Sequence, residues 1–179
     1  MGDVVANMSM SLDGFVEDAS GSALPLFEWI ASVQEIRDGA ASTGALVCGR
    51  RLFDLTQGWG GQHPVGVPVF VVTHQPPSDW AHPDAPFAFV VDGVASAVAQ
   101  AQAVAGDRTV AVATPDITRQ CLDLGILDGI SVDLVPVLLG GGKPFFAGLQ
   151  RTPVALGTPT VAEDQGVTHL HYRVEKSRA

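Results

Sequence analysis

Short apolar runs alternate with amphipathic or helix-prone stretches along most of the chain. The apolar runs have the length of buried strands, and they cover residues 4–10, 44–48, 67–73, 87–91 and 109–113. The stretches with helical spacing or helix-start residues are 25–37, 50–55, 92–105 and 114–124. Strands that alternate with helices predict a largely parallel sheet with helices on both faces.

Two of the predicted helices begin at capping residues. Asp92 is the expected N-cap of the alanine-rich helix that ends near residue 105. Thr114 is the expected N-cap of the next helix, because Pro115 occupies its first helical position. We expect this second helix to end at Gly125.

The pattern changes after residue 125. Residues 129–139, 154–162 and 167–175 have no helical segment between them, so we expect antiparallel strands there. Asp164-Gln165-Gly166 has the composition of the last hairpin turn. The expected fold is α/β, with a mixed, mostly parallel sheet and a C-terminal antiparallel hairpin. No repeat or linker divides the chain, so residues 1–179 are expected to form one domain.

Composition narrows the class of protein. A hydrophobic content of 46% with 16% charged residues is typical of a compact globular protein. The net charge of −9, without a lysine or arginine cluster, argues against a nucleic-acid partner. Cys48 and Cys121 lie in apolar stretches, which fits a reducing compartment. We see no signal peptide and no apolar stretch of membrane-spanning length, so the expected location is cytoplasmic, with no membrane partner.

Candidate ligand-binding residues lie in turns that follow the predicted strands. These turns are Ser11-Leu12-Asp13-Gly14, Gly49-Arg50-Arg51, Thr73-His74 and Thr114-Pro115-Asp116. Ligands of open α/β sheets bind beyond the carboxyl ends of the strands, so we expect the turns to meet in one crevice. Glycine lets the backbone approach a ligand, and an arginine can bind phosphate. The residues by themselves therefore predict an anion-binding pocket.

A family resemblance makes the prediction more specific. Asn7-Met8-Ser9-Met10-Ser11-Leu12-Asp13-Gly14-Phe15-Val16 resembles the opening of the reductase domain of the riboflavin-biosynthesis deaminase–reductase, a member of the dihydrofolate-reductase-like superfamily. Further matching segments are residues 46–54, 71–73 and 127–146. The resemblance implies a three-layer α/β/α fold, NADPH as cofactor and, commonly, a homodimer. It also implies hydride transfer to a C=N or C=O bond of a small heterocyclic substrate that is pyrimidine- or pterin-like.

The resemblance also implies roles for the turn residues. The cofactor side would contain Gly49, Arg50, Arg51, Thr73, His74, Ala113, Thr114, Pro115 and Asp116. The substrate side would contain Ser11, Leu12, Asp13, Gly14 and, as a pocket wall, Trp59. Asp13 is the candidate catalytic residue, as a substrate-orienting or proton-relaying group, with a turn carboxylate as the alternative. Glu28 is expected to be a solvated helix residue.

The chain departs from the family pattern at one functional position. Ala113-Thr114 stands where the family usually has Gly-Gly, and Pro115 removes one N–H donor. Two alternatives therefore stay open: another reductase of this fold, acting on a specialised metabolite or xenobiotic, and a non-catalytic small-molecule-binding or dimeric interaction protein.

The remaining motifs predict no further chemistry. His63, His74 and His82 do not have metal-ligand spacing, and the pair His169 and His171 lacks a third ligand, so no metal site is expected. The glycines at 140–142 are expected to form a turn that borders the ligand crevice.

Overall fold

The computed structural model describes residues 1–30 and 41–176, which fold around one large sheet. Its strands are β1 (Val4–Ser11), β2 (Phe15–Glu17), β3 (Thr43–Gly49), β4 (Val69–Val72), β5 (Phe87–Val90), β6 (Thr109–Ala113), β7 (Gly129–Val135), β8 (Lys143–Pro144), β9 (Thr160–Asp164) and β10 (Val167–Arg173). The helices are α1 (Leu24–Ile30), α2 (Arg50–Leu55), α3 (Val94–Ala105) and α4 (Pro115–Leu124).

The strand order of the main sheet is β5-β4-β3-β6-β1-β7-β10-β9. The first six of these strands are parallel to one another, and β10 and β9 are antiparallel to their neighbours. β2 and β8 form a separate two-stranded antiparallel sheet. The predicted mixed, mostly parallel α/β sheet with a C-terminal hairpin is therefore confirmed.

Helices cover both faces of the main sheet. Right-handed crossovers place α1 and α2 on one face and α3 and α4 on the other. The side-chain packing agrees: Phe53 of α2 belongs to the apolar cluster of Cys48, whereas Val98 of α3 and Ile117 of α4 belong to the cluster of Val47. The result is the predicted three-layer α/β/α arrangement.

The prediction for the late strands was wrong in two places. β7 is parallel to β1 rather than antiparallel, because α4 precedes it and completes a right-handed crossover from β6. It also ends at Val135, where the prediction extended to Leu139. Within the predicted strand at 154–162, Leu156 forms an isolated antiparallel bridge with Val174, and continuous ladder pairing begins at Thr160. The hairpin turn at 164–166 is present between β9 and β10.

Two smaller predictions also need correction, and two others hold with a difference in detail. β1 was expected to be buried, but Asn7 in its middle is exposed. The N-cap of α3 is Gly93, at a φ of 99°, rather than Asp92. Thr114 is the N-cap of α4 as predicted, although its hydroxyl makes no capping hydrogen bond. The predicted helix at 25–37 begins at Leu24 and is described to Ile30, and the rest lies outside the described residues.

The two cysteines are buried and unpaired by disulfides. Burial raises the pKa of both the Cys48 and the Cys121 thiol to about 12. Each thiol therefore stays protonated at neutral pH and packs as a small apolar group.

Candidate active site

The predicted ligand-binding turns meet at the carboxyl edge of the parallel strands. Gly49 pairs with Val72 across β3 and β4, and Cys48 pairs with Ala113 across β3 and β6. The cofactor candidates from Gly49 to Asp116 therefore follow three neighbouring strands at this one edge. β1 extends further, since its last residue Ser11 pairs with Val135 of β7. The structure thus brings the Ser11–Gly14 turn to the same edge.

The turn at Thr114 keeps a backbone shape that normally requires glycine. Thr114 has φ 110° and ψ 137°, a region that side chains with a Cβ rarely adopt. A Cβ on Gly49 would lie 3.5 Å from the Thr114 Oγ1 atom, so the two turns are in contact. That hydroxyl is buried and has no hydrogen-bond partner within the described residues. The turn at Ala113-Thr114 therefore has the backbone shape expected of Gly-Gly at this position.

Arg50 is held between α2 and the turn after β4. Its Nε donates to Asp54 Oδ1 at 2.7 Å, and its terminal nitrogen donates to the Gln75 carbonyl at 2.7 Å. The Thr73 hydroxyl donates to the same carbonyl at 2.8 Å, which fixes the turn. Neighbouring His74 is exposed. Arg50 therefore has a defined position at the edge, with part of its donor set already used.

Two further cations face this edge, and each is paired with a carboxylate. Arg51 donates to Glu17 Oε1 at 2.6 Å, and Lys143 donates to Asp116 Oδ2 at 2.8 Å. The hydrogen bond that Arg51 donates to Glu17, together with the negative charges of Glu17 and Asp116, raises the pKa of Arg51. Sequence reasoning missed Glu17 and Lys143, because their partners are distant along the chain.

Asp13 joins two turns at the end of β1. Its carboxylate accepts hydrogen bonds from the Ser11 hydroxyl at 2.6 Å, the Gly140 N–H at 2.7 Å and the Leu139 N–H at 3.1 Å. The Ser11 hydroxyl, together with these two N–H groups, lowers the pKa of Asp13. An ionised Asp13 therefore matches the turn-carboxylate alternative, and its catalytic role stays a prediction.

The residues around Asp13 complete a rigid border. The Leu12 N–H donates to the Val137 carbonyl, and the Phe145 N–H donates to the Gly14 carbonyl, both at 2.9 Å. The Leu12 side chain is 63% exposed and so is available to a ligand. The glycine turn at 140–142 thus borders the Ser11–Gly14 turn, as the sequence suggested.

The structure places Trp59 far from the other substrate candidates. Its ring stacks on Phe87 of β5 at a centroid distance of 6.3 Å and meets the His63 ring at 4.6 Å. β5 is the outermost parallel strand and lies four strands from β1, or roughly 19 Å at the usual strand spacing. The contacts of Trp59 are those of an apolar-cluster residue.

A row of polar residues crosses the sheet on one face, and sequence reasoning did not recognise it. Asn7 pairs with Ser131 and Ser131 with His171, while Ser9 pairs with Asp133 and Asp133 with His169. The sequence could have indicated it, because each of the three strands has polar residues at two alternate positions. Alternate residues of a strand point to the same face, so the six polar side chains share one face of the sheet. Asn7 is exposed although its strand has neighbours on both sides, so this face is open there.

Two hydrogen-bonded pairs occupy this row. Ser131 Oγ lies 2.9 Å from His171 Nδ1 at the surface, and Asp133 Oδ1 lies 2.7 Å from His169 Nδ1 in the interior. His169 is 7% exposed, and its Nε2 is buried without a partner among the described residues. The carboxylate orients the buried imidazole through Nδ1.

Residues 1–30 and 41–176 offer neither a candidate metal site nor a membrane-spanning helix. This part of the chain contains no group of three or more His, Cys, Asp or Glu side chains placed to hold a metal ion. Nor does it contain a helix that is long and apolar enough to cross a membrane. A cavity of about 240 Å³ lies between the end of α4 and the segment around Val154, and it includes none of the predicted site residues.

Comparison with known proteins identifies the family and the fold. The sequence model of the family described as RibD C-terminal domain matches residues 3–178. A comparison with curated protein sequences found no match. Among solved structures, a protein named for riboflavin biosynthesis from Shewanella sp. PV-4 is similar, with a TM-score of 0.80 and 19% identity over 97% of this chain and 99% of that one.

Two further structures share the fold. A diaminohydroxyphosphoribosylaminopyrimidine deaminase/5-amino-6-(5-phosphoribosylamino)uracil reductase from Thermotoga maritima has a TM-score of 0.68 and 12% identity over 97% of this chain, which spans 56% of that protein. A dihydrofolate reductase from Enterococcus faecalis, complexed with NADP(H), has a TM-score of 0.61 and 15% identity over 97% of this chain and 96% of that one. At these identities the similarity establishes the shared fold.

Proposed function

The chain belongs to the RibD C-terminal domain family, and from this premise we propose that it is an NADPH-dependent reductase. It would transfer hydride to a C=N or C=O bond of a small heterocyclic, pyrimidine- or pterin-like substrate. The observation that carries the proposal is the contact between the Gly49 turn and the glycine-like Thr114 turn at the carboxyl edge. Two similar structures support it: one is described as a uracil-derivative reductase, and the other as a complex with NADP(H).

The residues of this edge fit the phosphates of a dinucleotide. Gly49 presents backbone without a side chain, and the Thr114 turn keeps the required shape. The buried Thr114 hydroxyl lacks an acceptor, and nearby Arg51 and Lys143 are donors that a phosphate would take over from Glu17 and Asp116. Bound NADPH would supply the hydride. The protein would hold the phosphates, exclude water and position the substrate.

The Ser11–Gly14 turn would border the nicotinamide and the substrate. Asp13 holds this turn against Gly140 as an ionised carboxylate, so it acts in positioning, and the proton would come from water. Asp13→Ala is therefore expected to lower turnover more than NADPH affinity, because the border of the substrate side would loosen. A larger loss in NADPH affinity than in turnover would contradict this role.

One observation favours a second candidate, a non-catalytic small-molecule-binding protein on the same scaffold. Arg50, Arg51 and Lys143 already have protein acceptors, and Pro115 lacks an N–H at the turn. A site whose cations are already paired favours ligands other than a dinucleotide unless the pairs can be exchanged.

A titration with NADPH and, separately, NADH tests the proposal, with nicotinamide fluorescence as the signal. We expect saturable binding of NADPH, and we expect Arg51→Gln to weaken it about tenfold because a charge-assisted hydrogen bond to phosphate is lost. Arg173→Gln, at the far end of β10, is the matched control and should bind like the wild type. Failure of folded protein to bind either nucleotide would exclude the reductase and favour the second candidate.

The remaining expectations belong to the same proposal. We propose further that the protein is a small-molecule reductase of the cytoplasm that works as a homodimer, and its net charge of −9 argues against a nucleic-acid partner. Sedimentation equilibrium at micromolar concentration tests the dimer directly, since a mass equal to that of one chain would contradict it.

A further inference from the structure

The small β2–β8 sheet links the two helices that begin at the candidate phosphate site. Glu17 of β2 pairs directly with Lys143 of β8 in the strand register. From this pair Glu17 reaches Arg51 in the first turn of α2, and Lys143 reaches Asp116 in the first turn of α4. The four residues form an alternating row of charges across the edge, which we call the charge row.

The backbone that carries the charge row is closely packed. A Cβ on Gly142 would overlap the Glu17 carbonyl oxygen, so β8 begins in direct backbone contact with β2. Phe145, which follows β8, is 2% exposed and anchors the segment in the core. Any exchange of partners within the charge row therefore needs side-chain movement only.

The side chains of the charge row have the exposure needed for such an exchange. The Arg51 and Asp116 side chains are 52% and 64% exposed, so one member of each pair faces solvent. Ion pairs of this exposure hold weakly against a competing anion. A phosphate forms stronger charge-assisted hydrogen bonds with arginine and lysine than one carboxylate oxygen does.

The charge balance of the row distinguishes it from an ordinary phosphate site. Two cations face two carboxylates, so the row has no net positive charge to attract an anion. An incoming anion must replace Glu17 at Arg51 and Asp116 at Lys143. These cations lie on different elements, so an anion with two phosphates is better able to replace both carboxylates than an anion with one.

We propose that Glu17 and Asp116 are specificity-determining residues of the phosphate site. Their carboxylates occupy Arg51 and Lys143 until a diphosphate-containing ligand replaces both, and they thereby exclude single phosphates and other small anions. This inference rests on the proposed function for the identity of the natural ligand. The exchange itself concerns any diphosphate, so inorganic pyrophosphate is a sufficient probe.

The test compares wild-type protein with Glu17→Gln and Asp116→Asn by calorimetric titration with pyrophosphate, orthophosphate and NADPH. Each substitution is expected to tighten pyrophosphate and NADPH binding about three- to tenfold at low salt, because a competing and repelling carboxylate is removed. Orthophosphate binding should gain more, so the preference for pyrophosphate should fall. The gain should shrink in 1 M salt, where charges are screened within about 3 Å.

Asp107→Asn is the matched control, since it removes one negative charge at the opposite edge of the sheet, where Asp107 pairs with the chain's amino group. It should leave all three affinities unchanged. Weaker or unchanged pyrophosphate binding in both site variants would overturn the proposal, because the carboxylates would then orient the cations or play no part. Urea unfolding of each variant verifies that the protein is folded.

The two proposals fail in different ways. If the wild type binds NADPH, but the two variants bind NADPH and pyrophosphate no more tightly than the wild type does, the specificity role fails and the reductase proposal stands. If NADPH does not bind but the variants gain pyrophosphate affinity, the reductase fails and the exchange stands. If no variant binds either ligand, both proposals fail.

Discussion

The strained turn at Thr114 leads to a stability prediction with an unusual sign. Thr114 has a φ of 110°, where a Cβ clashes with the backbone and glycine does not. We therefore expect Thr114→Gly to be more stable than Thr114→Ala. Both variants lack the hydroxyl and the methyl group of threonine, so the comparison depends only on the effects of the Cβ atom.

The expected difference follows from three opposing terms. A residue with a Cβ in this sparsely populated region costs about 1–3 kcal/mol. Glycine loses about 0.5–1 kcal/mol relative to alanine through unfolded-chain entropy. Removing the Cβ forfeits about 0.8 kcal/mol of apolar burial. With a strain near the middle of its range, at about 2 kcal/mol, glycine is favoured over alanine by roughly 0.5 kcal/mol.

Equilibrium urea unfolding of the two variants measures this difference. Ala99→Gly on the exposed side of α3 is the matched control, and there glycine is expected to cost about 1 kcal/mol. The difference in unfolding free energy between glycine and alanine at position 114 should therefore differ from the same difference at position 99 by about 1.5 kcal/mol. If Thr114→Gly is less stable than Thr114→Ala by as much as the control, the turn carries no strain and the glycine-like shape is refuted.

Three other substitutions test contacts of the site and of the polar row. Asp13→Asn should lower the free energy of unfolding at neutral pH but not in acid, as urea unfolding across pH would show. The pKa of Asp13 is lower in the folded protein than its unfolded value near 3.8, so the ionised carboxylate adds stability above that value, and this stability is lost as the pH falls through the folded pKa. Gly142→Ala should lower the free energy of unfolding by about 2–4 kcal/mol, because its Cβ would overlap backbone atoms at a φ of 132°. Gly140→Ala is the control, with open space around the new Cβ and an expected loss of about 1–2 kcal/mol, and equal losses in urea unfolding would contradict the overlap. Asp133→Asn should lower the free energy of unfolding by about 1.5–3 kcal/mol in the same assay, because buried His169 loses its carboxylate partner. Ser131→Ala removes the exposed bond to His171 and should lower it by less than about 1 kcal/mol, and a larger loss for Ser131→Ala would contradict the view that burial strengthens the bond.

The candidate site was partly predictable because its turns depend on local features. Apolar runs mark the parallel strands, and each of these strands must end at the same edge of the sheet. Gly49 and Thr114 follow two such strands, so their proximity follows once the strands are recognised. Trp59 shows the limit of this reasoning, since no local feature shows that its loop covers β5 at the far end of the sheet.

The partners of the charged residues were not predictable from local features. Arg51 and Glu17 are 34 residues apart, Lys143 and Asp116 are 27 apart, and Asp13 binds Gly140 across 127 residues. Each contact depends on strand order and on the register of β2 against β8. A charged side chain in a turn looks the same in the sequence whether it is solvated or paired.

The sequence by itself determined the strand and helix pattern, the parallel α/β class and the family, because backbone sterics and hydrophobic periodicity act over a few residues. Only the tertiary structure decided that Thr114 keeps a glycine-like φ, against the local preference of threonine, and that the charges at the site neutralise one another. It also decided the direction of β7 and the single polar face shared by three strands. These features arise from packing between distant segments, whose combined energy outweighs the preference of any one residue.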